Sequence, residues 1–429
     1  MYTHMKKYFE PPRENWESIA QRTVIDTTTL VAKVKNVLDD VKIKGDEAVI
    51  QYTKQFDAVD IKDFVVTKEA LNAADLSVSP ELKQAIESAY NNIHAFHQSQ
   101  KDKVEIIDTM PGIACWRKSV GIEKVGLYIP GGSAPLFSTV LMLAIPAQIA
   151  GCKEVVLCTP PAKDGSVHPA ILYCAKLCGV HKVFKIGGVQ AIAAMAYGTE
   201  SVPGVYKIFG PGNQFVTCAK QLVQIEGISI DMPAGPSEVC VLADDSANAA
   251  FIASDLLSQA EHGADSQSVL VSMSKKIIEQ VEQEINTQLN DLSRKTIAEK
   301  ALQNSRIIYF ENKNTAVDFV NEYAAEHLII SCETADELGE MITNAGSVFL
   351  GNYSPESAGD YASGTNHTLP TNGFAKAYSG VSVDSFVKKI TFQKLSKKGL
   401  SALADTVITM AHAEGLDAHA NAVKYRIDE

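Results

Sequence analysis

The sequence predicts an α/β protein of two Rossmann-like βα domains with parallel sheets, plus small helical segments at the N- and C-terminal ends. Three observations predict it. From Gly121 onward, short apolar β-prone runs at 125–129, 154–158, 182–186 and 205–209 alternate with helical stretches at 137–150, 168–177, 189–197 and 214–225. A second series follows, with runs at 268–273, 306–310, 328–331 and 347–350 and helices at 275–289, 316–326 and 335–344. Glycine-bearing turns close several of the first-series strands: Gly131-Gly132, Gly187-Gly188 and Gly210-Pro211-Gly212-Asn213. The two series do not repeat residue by residue, so any duplication is one of topology alone.

The remaining elements follow in chain order. The first hundred residues read as polar helices, with apolar residues at helical spacing over 27–48 and again over 80–97. The segment 351–380 is rich in Gly, Ser, Thr, Asn and Pro, and a loop of that length is functional or disordered. A last helix over 400–413 is cut at Gly415 and restarts towards Lys424. The expected partition is a helical segment 1–24, a first domain from 25–127 and 237–380, a second from 128–236, and a C-terminal helical segment 381–429.

Composition narrows the function. The 429 residues are 46% hydrophobic and 21% charged, which fits a globular chain and excludes collagenous or wholly disordered ones. With 39 basic and 51 acidic residues the net charge is -12, so no general field attracts nucleic acid or anionic lipid. The apolar run at 140–147 is too short to span a membrane, and residues 1–13 lack a signal-peptide core. Eight scattered cysteines read as reduced thiols, and the chain is expected in the cytoplasm.

Four groups of residues could carry chemistry. The glycine turns sit where open α/β sheets bind ligands, yet the usual G-x-G-x-x-G is absent, with Phe215 at the third glycine position. Tight turns alone would explain them equally well. Gln259 and His262 stand three apart on the last turn of a helix over 247–261, so they share a face. With Asp360 and His419 they would form a mixed N/O site suited to zinc or manganese, although spacing cannot bring the four together. Glu326-His327 lies where a helix enters an apolar strand, and a carboxylate beside an imidazole suits proton transfer near neutral pH. A helix-ending Glu and a capping His would give the same pattern. Cys174 and Cys178, four apart, read as small core residues, and Cys115 and Cys152 lack a neighbour that would activate a thiolate.

Seven ordered segments resemble the histidinol dehydrogenase family. They are Tyr128-Ile129-Pro130-Gly131-Gly132, Phe209-Gly210-Pro211-Gly212-Asn213, the 230–238 stretch ending Pro236-Ser237-Glu238, the 257–263 stretch around Gln259 and His262, Ala325-Glu326-His327-Leu328, the 359–367 stretch from Gly359 to His367, and Glu414-Gly415-Leu416-Asp417-Ala418-His419. The resemblance runs from about residue 20 to the end. It implies NAD-dependent, zinc-assisted oxidation of L-histidinol through L-histidinal to L-histidine, the last step of histidine biosynthesis. By that resemblance Glu326 and His327 are the acid–base residues, and Gln259, His262, Asp360 and His419 hold one Zn2+ per subunit, for which Mn2+ could substitute. Substrate meets Ser237, Gln259, His262, His327, Asp360, His367, Glu414 and His419, while NAD lies near Tyr128, Gln190 and Asn213. The family also implies a domain-swapped homodimer whose C-terminal segment reaches the partner's site. A dehydrogenase of a related amino alcohol or sulfonate, and a metal hydrolase without nucleotide, are the competing readings.

Overall fold

The computed structural model describes residues 5–22, 28–131, 135–233 and 235–428. Two parallel sheets dominate it. A five-stranded sheet runs Lys182–Lys185, Glu154–Thr159, Lys124–Tyr128, Lys207–Phe209 and Ser229–Ile230 from edge to edge. A six-stranded sheet runs Lys6–Phe9, Arg306–Tyr309, Gln267–Ser272, Glu238–Ala243, His327–Ser331 and Ser347–Leu350. From the first strand of each βα series, both follow the order third, second, first, fourth, fifth, with Lys6–Phe9 added outside the third in the larger sheet. The two series therefore share one topology, each reversing direction between its first and fourth strands.

The sequence accounts for the parallel sheets directly. Glu238–Ala243, Gln267–Ser272 and His327–Ser331 are buried at every residue. Strands covered by helices on both faces read as continuous apolar runs. The helix Phe137–Ala150 is apolar on nearly all sides because protein surrounds it, and only a buried helix tolerates that.

Several expectations need correction. Residues 1–24 are not purely helical, since Lys6–Phe9 pairs in parallel with Arg306–Tyr309. The helices Thr28–Lys44, Asp46–Phe56, Lys68–Ser77 and Pro80–Gln98 pack mainly against the five-stranded sheet and its helices, although Pro80–Gln98 also bonds to the 362–366 segment through Asn92 and His97. Leu30, Val34, Leu38 and Val41 share one core with Tyr128, Val156 and Ile192. The single helix expected over 27–48 breaks at Gly45, whose φ of +56° favours glycine and whose Cβ would strike the Glu200 carboxylate.

The central strand Glu238–Ala243 was not anticipated, nor was an antiparallel sheet of Val387–Leu395, Ile113–Gly121 and Ile106–Met110. The C-terminal segment therefore opens with a strand before its helices Lys397–Ala413 and Asp417–Ile427. Those helices pack on each other and, through the first, on Val387–Leu395. No described helix is long and apolar enough to cross a membrane.

Candidate active site

Two cavities meet between the lobes. The first lies at the carboxyl ends of the five-stranded sheet, has a volume of about 1020 Å3, and is lined by Tyr128, Thr159, Gly188, Asn213 and Asp57 among others. The second joins those carboxyl ends to the amino ends of the six-stranded sheet, and its lining includes Asn213, Ser237, His262, Glu326 and His367. Asn213 borders both.

The first cavity is built by strand-to-helix turns. Gly210 has a φ of +123°, and a Cβ there would run into the Tyr128 carbonyl, so glycine is required. Asn213 caps the helix Gln214–Ile225, its Oδ1 accepting from the N–H groups of Phe215 at 3.0 Å and Val216 at 3.2 Å. The Tyr128 hydroxyl accepts from the Gly188 N–H at 3.1 Å, and burial pushes that phenol up to about 12. Gln190 is fully buried and donates to Asp57 Oδ2 at 3.3 Å, leaving its own Oε1 without a partner. Asp57, which no motif marks, is raised to about 6 by burial. Helices starting at Gly188 and Gln214 turn their positive dipole ends toward this space, a polarity that suits an anionic group. Gly132 lies outside the described residues.

The second cavity receives helix ends of opposite polarity. The helix Ala249–Ala260, one residue shorter at its end than expected, places Gln259 in its last turn, with His262 just beyond. Asp360 sits in the last turn of Glu356–Tyr361, which packs against it. The helix expected to end at Glu326 stops at Tyr323, where Ala324 takes a left-handed φ of +53°, and Glu326 enters the strand from an irregular link.

Here the structure brings Glu326 and His327 together with Asp360. His327 Nε2 lies 3.3 Å from Asp360 Oδ1, and its Nδ1 lies 3.7 Å from Glu326 Oε2. The Glu238 carbonyl can only accept, so His327 Nδ1 carries a proton and donates to it at 3.1 Å. Glu326 Oε2 accepts from the Glu238 N–H at 2.8 Å. Burial pushes Glu326 up to about 8 against the pull of His327. Burial opposes charge on His327, but Glu326, Glu356 and Asp360 outweigh it and raise that imidazole well above its ordinary value. Asp360 is also opposed by burial, yet His327, His367 and His262 hold it below the usual carboxylate range. Such a cluster shares protons near neutrality, which is what acid–base work requires. Glu356, buried and raised to about 8 by burial, belongs to this cluster and was missed, because nothing in its local sequence marks it.

The other expected residues divide clearly. Ser237 lines the second cavity. His367 is clasped, with Nδ1 against the Asp360 carbonyl at 2.8 Å and Nε2 against Thr139 Oγ1 at 3.2 Å. His262 keeps surface open to the cleft, and burial lowers its pKa while the Asp360 charge opposes that. Glu414 and His419 are exposed on the C-terminal helices and line neither cavity. The cysteine expectations agree with the packing: Cys174 and Cys178 are core residues, and burial lifts Cys152 to about 12.

The donor set can be tested against a metal. Both amide atoms of the fully buried Gln259 lack a hydrogen-bond partner, while Asp360 Oδ1 faces His327 Nε2 at 3.3 Å. Orphaned buried polar atoms of this kind fit a cation in their midst. Gln259 oxygen, His262 nitrogen and Asp360 oxygen form a mixed N/O set suited to zinc. Among the described residues no group of three His, Cys, Asp or Glu side chains could hold a metal on its own.

The histidinol dehydrogenase family model matches residues 20–427. The chain is 58% identical to histidinol dehydrogenase of Bacteroides fragilis over 425 residues, covering 99% of each chain. It is 53% identical to that of Vibrio cholerae over 416 residues, covering 96% of each. A crystal structure of histidinol dehydrogenase from Elizabethkingia anophelis superposes with a TM-score of 0.97 at 53% identity, covering 100% of this chain and 99% of that one. With the cleft, the ordered motifs and these full-length likenesses in agreement, the chain belongs to the histidinol dehydrogenase family.

Proposed function

We propose that this oxidoreductase oxidises L-histidinol through L-histidinal to L-histidine, ending histidine biosynthesis, with two NAD reduced. One observation supports this above the rest: the buried Glu326–His327–Asp360 cluster borders, through Glu326, a cleft that continues, past Asn213, into a nucleotide-sized cavity. NAD, bound near Tyr128, Gln190 and Asn213, supplies the hydride acceptor. Zinc, held by Gln259, His262 and Asp360 with His419 of the partner subunit, supplies an anchor for the substrate's amine and imidazole.

The chain's own residues do the rest. His327 takes the hydroxyl proton at Nε2 as the alcohol carbon is oxidised. Glu326 then removes a proton from water as it adds to the aldehyde. His327 gives its first proton to the aldehyde oxygen as water adds, which completes the hydrate, and then takes one hydroxyl proton of that hydrate in the second oxidation. Ser237 holds a polar end of the substrate, His367 joins it by giving up its Thr139 contact, and Glu414 does so for the site of the other protomer.

The reading includes a homodimer in which the C-terminal helices complete the partner's site. Glu414 and His419 stand exposed, and the antiparallel sheet that carries those helices leaves Ile106, Ile107, Ile390 and Phe392 on the surface. Mixing a Glu326 variant with a His419 variant should then restore activity in heterodimers, and no rescue would place each site within one chain. We also place the enzyme in the cytoplasm, in keeping with cysteines such as Cys158, Cys174 and Cys240 packed as core residues.

The deciding experiment counts NADH formed from limiting L-histidinol with excess NAD. Two equivalents, abolished by chelation, support the four-electron reaction. One equivalent points to a simple alcohol dehydrogenase without the water-activating step, and none overturns the reading in favour of a related substrate or a metal hydrolase.

A further inference from the structure

We propose that the Arg22–Glu238 ion pair is a positioning device that fixes the backbone on which both members of the acid–base pair hang. The inference rests on the reading of Glu326 and His327 as that pair. Glu238 touches neither cavity with its side chain, but its main chain holds both residues. Its N–H donates to Glu326 Oε2 at 2.8 Å, and its carbonyl accepts from His327 Nδ1 at 3.1 Å. The direction of these two peptide groups therefore sets where Glu326 points and which nitrogen of His327 faces the cleft.

What fixes those peptides is the Glu238 carboxylate, fully buried and fully engaged. Arg22 Nε donates to Oε1 at 2.9 Å and Nη2 to Oε2 at 2.8 Å, the two-pronged geometry that only a guanidinium provides. The Asn372 N–H adds a third donor to Oε1 at 2.7 Å. Arg22 is itself held on several sides. Nη2 also donates to the Tyr323 carbonyl at 2.8 Å, and Nη1 to the Ala20 carbonyl at 3.0 Å. The guanidinium lies 3.9 Å from the Tyr323 ring centroid, and the Tyr323 hydroxyl donates to Gln267 Oε1 at 2.8 Å.

Tyr323 ends the helix from which the chain passes through Ala324 to Glu326. One side chain from the N-terminal segment thus grips both supports of the pair: the strand residue whose main chain holds it and the helix end from which it emerges. A buried ion pair is a poor way to gain stability. It is a good way to fix a direction.

The test measures kcat and KM for L-histidinol and L-histidinal in the wild type, Glu238→Gln, Arg22→Lys, Glu326→Gln and the Arg22→Lys/Glu326→Gln double variant. Rates are expressed per folded molecule, with the folded fraction taken from thermal melts. Glu238→Gln should lower kcat roughly 10- to 100-fold with KM within about twofold, since small misplacements of reacting groups carry penalties of that size. Arg22→Lys keeps the charge but loses the fork, and should lower kcat by a smaller factor in the same direction.

If the clamp acts through the pair, Arg22→Lys should add little to the loss already caused by Glu326→Gln. A kcat per folded molecule unchanged in Arg22→Lys, or losses that multiply in the double variant, would overturn the proposal. Should Glu238→Gln fail to fold, the Arg22→Lys comparison decides alone. Wild-type turnover in Glu326→Gln would instead overturn the acid–base reading, a separate failure.

Discussion

The two parallel sheets share one strand order and are used from opposite ends. The five-stranded sheet offers its carboxyl ends, where helices open at Gly188 and Asn213 beside the first cavity. The six-stranded sheet offers its amino ends, where Ser237, Glu238, Glu326 and His327 begin strands and Gln259 and Asp360 end helices. Helix N-termini favour anions and helix C-termini favour cations. Placing one kind of edge against the other makes a single cleft whose near wall suits an anionic group and whose far wall suits a metal and an amine. On the proposed function the same topology would serve two chemistries, because only the direction of presentation differs.

Variants on one wall should spare the other, and four would break or sharpen that contrast. The largest effect is expected for Glu326→Gln on the far wall. Oxidation of supplied L-histidinal should fall roughly 10^2- to 10^4-fold, and more than oxidation of L-histidinol to the aldehyde, as stopped-flow measurement of the half-reactions would show. Equal losses would contradict its assignment to water.

His262→Asn should come next. Bound zinc, measured by elemental analysis after dialysis, should fall below stoichiometric while thermal stability changes little. Retained tight zinc would remove His262 from the ligand set. On the near wall, Gly210→Ala should raise KM for NAD about tenfold or more while leaving zinc content intact, because its backbone conformation and the Tyr128 carbonyl both reject a Cβ. A rise in substrate KM instead would merge the two walls.

The smallest effect concerns Asp255, raised to about 7 by burial behind the far wall. Its folded form binds a proton that the unfolded chain has released between pH 3.8 and about 7, so stability falls as pH rises through that window. Asp255→Asn should therefore stabilise the protein by up to about 2–4 kcal/mol at pH 8 and by little near pH 4, read from denaturant melts at the two pH values. An equal shift at both would mean that charge burial is not the cause.

What the sequence reveals follows from what is local. Gln259 and His262 share a helix turn, Glu326 and His327 are neighbours, and the glycines mark their turns without help from the rest of the chain. The long-range relations are invisible in the same residues. The 28–98 helices look equally suited to either sheet, and only packing assigns them to the five-stranded one. The strands Ile113–Gly121 and Val387–Leu395 pair across more than half the chain, and their mixed, half-exposed residues give no strong alternation. Glu238 stood inside a quoted motif but acts on the pair through main-chain groups, which residue identity does not disclose. Asp57 and Glu356 owe their perturbation to burial, which no spacing reports.

The segment between Asp360 and Asn372 ties the lobes mechanically. On one side Asn366 donates to the Met142 carbonyl at 2.6 Å and His367 meets Thr139. On the other side the Thr371 hydroxyl takes the Gly235 N–H and the Asn372 N–H reaches Glu238. Wide hinge opening would have to break the strap's bonds to one lobe or the other. The strap thus resists separation of the lobes, and on the proposed reaction an aldehyde formed in the cleft would leave by hinge opening only after those bonds had broken.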